Sequence, residues 1–470
     1  MTTTDIAALT GGEIDAVAPD LIVNGPVIVD SRAATAGSLF VCLRGEHTDG
    51  HEHVGDAIRR GAAVALAERA VDGPAIVVDD TVRSLGFLAG GVLRRTAHCR
   101  VVGVTGSSGK TSTKDLIAAV VERAGPTVAA ARSLNNEIGL PLTVLGVDET
   151  TRHLVLEYSA RGIGHIAYLC AIARPSIAVV LNVGTAHLGE FGSRAAVATA
   201  KGELVEALPP DGVAVLGIDD PLVAAMRART EAAVVGFGGS ESADIRVTDL
   251  TLDDRACPRF RLVTPDGSVR VRMQLTGAHQ ASNAAAAAAV GLAVGLGIEE
   301  VADVLGEVTA VSAHRMCVAA RGDGLLVVDD AYNANPESMR AALDALSVLA
   351  RNRTGSSWAV LGEMRELGAD ATALHAEIGR RAAELGIDHL VVVGEAAAAI
   401  ATGACSVAGW VGTVEAVRDA EVATALLSAA VSGADVVLVK ASNALALWRV
   451  AEALLAPEPA GDGVPVEVNA

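Results

Sequence analysis

Residues 100–115, RVVGVTGSSGKTSTKD, constrain the fold more than any other stretch of the chain. An apolar run ending near Val104 enters a turn of glycine and serine, and Lys110-Thr111 opens a helix. A strand handed through such a turn into a helix builds a phosphate cradle. Small residues let backbone N–H groups approach the anion, and the helix adds the positive end of its dipole. The residues expected around the phosphates are Thr105, Gly106, Ser107, Ser108, Gly109, Lys110, Thr111 and Ser112. Lys110 supplies a point charge, and the Thr111 hydroxyl is available to Mg2+. The pattern is T-G-x-x-G-K-T, and it departs from G-x-x-x-x-G-K-[ST] because Val104 stands at the first glycine. A Gly/Ser turn that only caps a helix is the competing reading, and the strand-turn-helix context disfavours it.

A chain of 470 residues with 51% hydrophobic content supports several cores. Its apolar stretches are broken by charge or glycine before the roughly 18 residues of a membrane span, so no stable membrane insertion is expected. The first residues, MTTTDIAALTGGEIDA, lack a basic region followed by an apolar core, so a cytoplasmic location is expected. Cys42, Cys99, Cys170, Cys257, Cys317 and Cys405 are scattered without a C-x-x-C pair, and read as reduced, buried thiols. The formal net charge of −19 argues against a nucleic-acid partner but not against a nucleotide. An acidic protein that handles phosphates must place its positive charge locally, through Lys110, helix N-termini and metal ions.

The alternation of strands and helices divides the chain into three α/β domains, expected at residues 1–98, 99–311 and 312–470. The first carries the short β-like runs LIVNGPVIVDS, GSLFVCL, AAVALAE and AIVVDD around a helix near residues 52–61, and ends in a helix leading to Arg94 and Arg95. The second opens with the phosphate loop and continues through LVLEYS (154–159), IAVVLNVG (177–184) and VAVLGI (213–218). Continuous apolar strands spaced by helices mean a mostly parallel sheet covered on both faces. Residues 245–275 break that rhythm as an antiparallel appendage turning at Pro265-Asp266-Gly267, and an alanine-rich helix follows from Asn283. The third block repeats the alternation in LLVVDDAY, WAVLGEM, HLVVVGE and DVVLVKAS, a second open, Rossmann-like sheet whose ligands lie beyond the strands' carboxyl ends. The tail from Pro457 is expected to be frayed.

Polar groups gather where the strands of the second sheet end. Glu157 follows Leu154-Val155-Leu156, and His187 follows the strand IAVVLNVG and the turn Thr185-Ala186. A carboxylate, an imidazole and a hydroxyl make a reasonable Mg2+ set once phosphate oxygens and waters complete the octahedron. Each alone has a bland reading, a solvated carboxylate or a structural histidine; the company of Lys110 and Thr111 favours ligands. Lys201, in AAVATAKGEL, taken alone reads as a surface lysine lying along its helix.

Together, VTGSSGKTSTK, LEYSARGIGHI, LNVGTAHLGEFGS, AKGEL, GAHQASNA and DDAYNANPES resemble the Mur ligase family of peptidoglycan synthesis. DSRAATAGSLFVCLRGEHTDGH (30–51) is similar to that family's N-terminal uridine-nucleotide module, so the likeness spans nearly the whole chain. DDAYNANPES and SLNNEIGLPLT (133–143) favour the member that joins D-alanyl-D-alanine to UDP-N-acetylmuramoyl-tripeptide. The resemblance implies an ATP-dependent peptide-bond-forming ligase, acting through an acyl phosphate as a cytoplasmic monomer. It implies a small uridine-nucleotide domain, a central P-loop ATPase-like domain and a Rossmann-like C-terminal domain. Lys110, Glu157, His187 and Lys201 would be catalytic. Thr111 and Glu157 would hold one Mg2+, and His187 with a carbamylated Lys201 a second. Asn283, Arg315, Asp330, Tyr332, Asn333 and Asn335 would meet the nucleotide, and Ser31, Arg32, Asp49, His51, Asn135 and Asn136 the substrate.

Two departures from the family pattern stand out: Gln280 where many members have asparagine, and Lys440-Ala441-Ser442-Asn443 in place of Lys-Gly-Ser-Arg. Rival readings are a ligase adding the preceding stem residue, a folylpolyglutamate-type ligase, and a regulatory protein that binds ATP without catalysis.

Overall fold

The computed structural model describes residues 1–130, 133–185 and 188–456. The chain forms two compact units. One comprises Met1–Val183, Ala195–Ile245 and Ala286–Gly297; the other comprises Gly184–Arg194, Arg246–Ala285 and Ile298–Ala470.

The first unit contains a five-stranded sheet in the order Glu13–Asp15, Ala75–Val77, Val64–Ala67, Leu39–Val41, Val27–Ile28. Only the first pair is antiparallel. Leu39, Val41, Val64 and Leu66 pack on one face with Leu85 and Leu88, while Phe40, Cys42, Ala65 and Ala67 pack on the other with Val54 and Ala57. That two-residue alternation, apolar on both faces, is the signature of a doubly covered sheet. The helix Thr81–Arg95, capped by Asp80, matches expectation. The helix Thr3–Thr10, closed by a Thr2–Asp5 capping box, does not follow from any apolar run.

Six parallel strands of the same unit run in the order Ala233–Gly238, Val213–Gly217, Ile177–Val180, Arg100–Thr105, His153–Glu157, Thr127–Ala129. The chain works outward on one side of Arg100–Thr105, returns beside it, and then continues on the other side. This reversal opens a crevice at the strands' carboxyl ends, where ligands of open α/β sheets bind.

In the second unit, Ile245–Leu252, Pro258–Thr264 and Gly267–Arg272 form the expected antiparallel appendage, bulged between Thr248 and Thr251. The six-stranded sheet runs Cys317–Ala320, Leu326–Asp329, Val436–Lys440, Ser357–Leu361, His389–Val393, Thr413–Val417, antiparallel only at its first pair. Its faces are filled by Leu343, Leu361, Ile378 and Leu438 on one side and Val327, Val391, Val437 and Val450 on the other. The alanine-rich helix spans Gln280–Ala293, starting before Asn283.

All six cysteines are free. Burial was expected of them all, and Cys405 is instead exposed, while Cys99 and Cys317 are half-buried. No helix among the described residues is long and apolar enough to cross a membrane. The tail from Pro457, like His187, lies outside the described residues.

Candidate functional site

The phosphate loop leaves the strand Arg100–Thr105 at its carboxyl end. Thr105 is fully buried, its hydroxyl donating to Tyr158 O at 2.8 Å. Gly106 lies so close to the residue that follows the neighbouring strand that a Cβ there would sit 2.9 Å from Leu181 Cβ. Gly109 has φ +80°, a left-handed value that glycine adopts without strain, and opens the helix Lys110–Glu122. Lys110 Nζ donates to Gly106 O at 2.7 Å, and the Thr111 and Ser133 hydroxyls are 2.9 Å apart. Ser112 is half-buried on the helix's first turn. The N–H groups of Ser107 and Ser108 both point at Asn182 Oδ1, each at 3.0 Å.

Glu157 ends the adjacent strand, in register with Val104. It is fully buried; Oε2 accepts a long 3.4 Å bond from Asn135 Nδ2, and Oε1 is buried without a hydrogen-bond partner. A carboxylate oxygen in that state is stabilised by a cation, and with the Thr111 hydroxyl it offers the hard oxygen donors that Mg2+ prefers. Among the described residues no cluster of three or more His, Cys, Asp or Glu side chains surrounds a metal position. Asn136 Oδ1 instead accepts the N–H groups of Ile138 and Gly139 at 3.3 and 2.8 Å, starting the helix Gly139–Val144.

Lys201 is not a surface lysine. It lies 4% exposed on the helix Arg194–Glu206. Burial, with Lys110 adding repulsion, holds its amine well below the ordinary lysine range. Glu203, one half-turn on, is already committed: its two oxygens accept Gly164 N at 2.5 Å and Ala167 N at 2.9 Å, capping the helix His165–Ile172.

In the second unit, the strands Leu326–Asp329 and Val436–Lys440 end side by side in a buried ion pair, Lys440 Nζ to Asp330 Oδ2 at 2.6 Å. Met316 N occupies the other Asp330 oxygen at 3.1 Å, and Lys440 also donates to Asn333 O at 2.8 Å. The Arg315 guanidinium lies 4.2 Å from the centre of the Tyr332 ring, within cation–π range. Asn333 Oδ1 accepts Ala334 N at 2.9 Å, and Asn335 caps the helix Pro336–Ala350 by accepting Ser338 N at 2.8 Å. Gln280, one of the departures, accepts Asn283 Nδ2 at 2.9 Å and fixes that amide in a buried setting. At the other, Ser442 Oγ accepts Arg365 N at 3.1 Å, and Asn443 is exposed.

Near the N-terminus, Asp30 caps the turn Ser31–Ala33, and Arg32 forms a two-pronged pair with it, Nη2 to Oδ2 at 2.7 Å. The guanidinium holds the Asp30 carboxyl at about 2. His51 is enclosed: Nε2 accepts Glu68 N at 2.9 Å, so Nδ1 carries the hydrogen donated to Asp49 Oδ1 at 2.5 Å. Arg69 bonds the second Asp49 oxygen at 3.1 Å.

Two residues went unread in the sequence. Asn182 is the first polar residue after an apolar strand. Glu337, inside DDAYNANPES, accepts both the N–H and the hydroxyl of Thr185 at 3.0 Å through Oε1. Gly184 is shaped to it, since a Cβ there would lie 2.8 Å from the carboxylate.

A Gly/Ser loop carrying Lys110 and Thr111 at the reversal of a parallel sheet, with a buried, half-unpaired carboxylate one strand away, defines an α/β protein that binds nucleotide phosphates. Three family descriptions match in sequence: "Mur ligase family, catalytic domain" over residues 27–85, "Mur ligase middle domain" over 104–291, and "Mur ligase, glutamate ligase domain" over 314–443. The chain belongs to the Mur ligase family. It is 46% identical to the UDP-N-acetylmuramoyl-tripeptide--D-alanyl-D-alanine ligase of Mycobacterium bovis, over 99% of both chains. Its fold is similar to crystal structure I of MurF from Acinetobacter baumannii, with TM-score 0.85, 32% identity, and coverage of 97% and 98%. It is also similar to MurF ligase from Thermotoga maritima in complex with ADP, with TM-score 0.78, 30% identity, and coverage of 92% and 97%.

Proposed function

We propose that this chain is an ATP-dependent ligase that joins D-alanyl-D-alanine to UDP-N-acetylmuramoyl-tripeptide in peptidoglycan precursor synthesis. The full-length likeness to ligases of that name supports the substrates. The observation that carries the chemistry is the buried, half-unpaired Glu157 beside the Lys110-Thr111 loop. In this reading the tripeptide's terminal carboxylate takes the γ-phosphoryl group of ATP, giving ADP and an acyl phosphate. The amine of D-alanyl-D-alanine then displaces phosphate and forms the peptide bond.

Both partners of the first step are anions, so local positive charge decides its rate. Lys110 supplies one such charge, and the dipole of the helix Lys110–Glu122 supplies another. Thr111 and Glu157 would hold Mg2+ at the phosphates, with His187 and Lys201 holding a second ion. Bound Mg2+ neutralises phosphate oxygens and orients them. A lysine serves a cation once CO2 has converted its amine to a carbamate, and the burial of Lys201 favours that conversion. Asn283, Arg315, Asp330, Tyr332, Asn333 and Asn335 are assigned to the nucleotide, and Asp330 and Asn335 also hold local backbone, at Met316 N and Ser338 N. Thr105, Gly106, Ser107, Ser108, Gly109 and Ser112 belong to the loop. Ser31, Arg32, Asp49, His51, Asn135 and Asn136 are assigned to the uridine-nucleotide substrate. The functional segments are residues 1–98, 99–311 and 312–470, acting in a cytoplasmic monomer.

The test is mass spectrometry of the product from purified protein, ATP, Mg2+, UDP-N-acetylmuramoyl-tripeptide and D-alanyl-D-alanine. A mass increased by the dipeptide less one water, dependent on all components, is the expected result. Extension of UDP-N-acetylmuramoyl-dipeptide by a single amino acid instead would assign the preceding step.

A further inference from the structure

We infer that Asn182 is a positioning residue for the phosphate loop: a side-chain clamp that fixes the Ser107–Ser108 backbone in the shape that receives a nucleotide. The inference rests on the reading of that loop as the ATP site. Asn182 lies two residues beyond the strand Ile177–Val180, where Leu181 N still donates to Thr105 O at 3.0 Å. The adjoining strand is therefore in register up to the loop's first residue. Asn182 then meets the loop with both ends of its side-chain amide and with its own carbonyl. Oδ1 accepts the successive N–H groups of Ser107 and Ser108 at 3.0 Å each, Nδ2 donates to Ser108 O at 3.2 Å, and its own carbonyl accepts Ser107 N at 3.2 Å.

Two successive N–H groups converging on one oxygen make the concave arrangement that binds anions. Here that oxygen belongs to a neutral carboxamide anchored at a strand end, so the curvature of this part of the loop exists without a phosphate. A glycine- and serine-rich segment is otherwise among the most freely varying of backbones, and ordering it would weaken nucleotide binding. A clamp that orders it beforehand removes that cost from the binding step. The carboxamide suits the task because it accepts at one end and donates at the other. Aspartate would keep both accepted bonds, lose the donor to Ser108 O, and bring negative charge beside the phosphates. Alanine would lose all the side-chain bonds. A role confined to stability would lower the melting temperature and leave nucleotide affinity alone.

The experiment is calorimetric titration of the full-length protein with MgADP, alongside melting curves and steady-state kinetics. Asn182→Ala is expected to raise the MgADP Kd and the KM for ATP by about tenfold or more, from the ordering of a loop segment. The kcat at saturating ATP should stay within about threefold, and the KM for UDP-N-acetylmuramoyl-tripeptide should not change. Asn182→Asp, of nearly the same shape, is expected to bind MgADP more weakly still, with added salt recovering part of the loss. An MgADP Kd for Asn182→Ala within about twofold of the parent overturns the inference. If that variant fails to fold, Asn182→Asp decides: unchanged affinity in it overturns the inference equally. Failure of the parent protein itself to bind MgADP would instead sink the assignment of the loop.

Discussion

Lysine ammonium groups are costly to bury, and Lys201 is buried where Lys110 adds repulsion, with its neighbour Glu203 already spent on a helix N-terminus. Lys201→Ala is expected to lose most ligase activity, with short carboxylates such as acetate restoring part of it by occupying the vacated position. Lys201→Arg, which keeps charge and fills the space, should not be rescued; wild-type turnover in Lys201→Ala would end the idea. Lys110→Ala should abolish ligation with little change in melting temperature, because its amine reaches the loop carbonyl of Gly106 rather than the apolar core. Near-normal ATP-dependent ligation by that variant would refute its assignment. The burial of Lys201 was legible after all: Val197, Ala200, Lys201 and Leu204 recur at the spacing of one buried helix face. A lone charge on such a face is a stronger signal than its surface-loving residue type. Nothing in the sequence, by contrast, reveals that Asp49 and His51 are bonded to each other, because that depends on a side-chain rotamer rather than on spacing.

At the scale of the element, the helix Pro336–Ala350 has an N-cap that combines two duties. Asn335 and Ser338 exchange hydrogen bonds in a capping box, and the same segment is assigned to the nucleotide. Asn335→Ala should lower stability by about 1 kcal/mol, as loss of an N-cap does, and raise the KM for ATP. Asn335→Asp separates the two effects: aspartate caps as well as asparagine, so stability should hold while KM rises. Denaturant unfolding and initial-rate kinetics on the same preparations check both, and an unchanged KM in each variant would leave Asn335 a cap alone. Interior strands such as Ile177–Val180 and Val436–Lys440 were readable because both faces are covered and the run is uniformly apolar. The edge strands Cys317–Ala320 and Thr413–Val417 were not, since an edge exposed on one side carries polar residues such as Glu415 and gives no continuous run.

At the scale of the molecule, chemical labelling reads out compactness. Cys405 is exposed, whereas burial pushes the Cys42 and Cys170 thiols up to about 12, out of reach of thiolate chemistry at neutral pH. A maleimide reagent should therefore modify Cys405 quickly in the native protein, and Cys42 and Cys170 only after denaturant is added; peptide mapping that found Cys42 or Cys170 labelled equally fast would contradict this packing. The three-block rhythm of strands and helices was visible in the sequence, but the path of the chain between compact units was not, because contact membership depends on long-range packing. That path crosses from one unit to the other five times, at residues 183/184, 194/195, 245/246, 285/286 and 297/298. Ala256, from the antiparallel appendage, is wholly buried in the apolar cluster that contains Met316, Leu343 and Leu361. A graft of residues 312–470 onto a foreign nucleotide domain would leave that plug behind. Recombination between relatives should accordingly tolerate exchanges that carry residues 246–285 together with the C-terminal sheet, and select against single crossovers that part them.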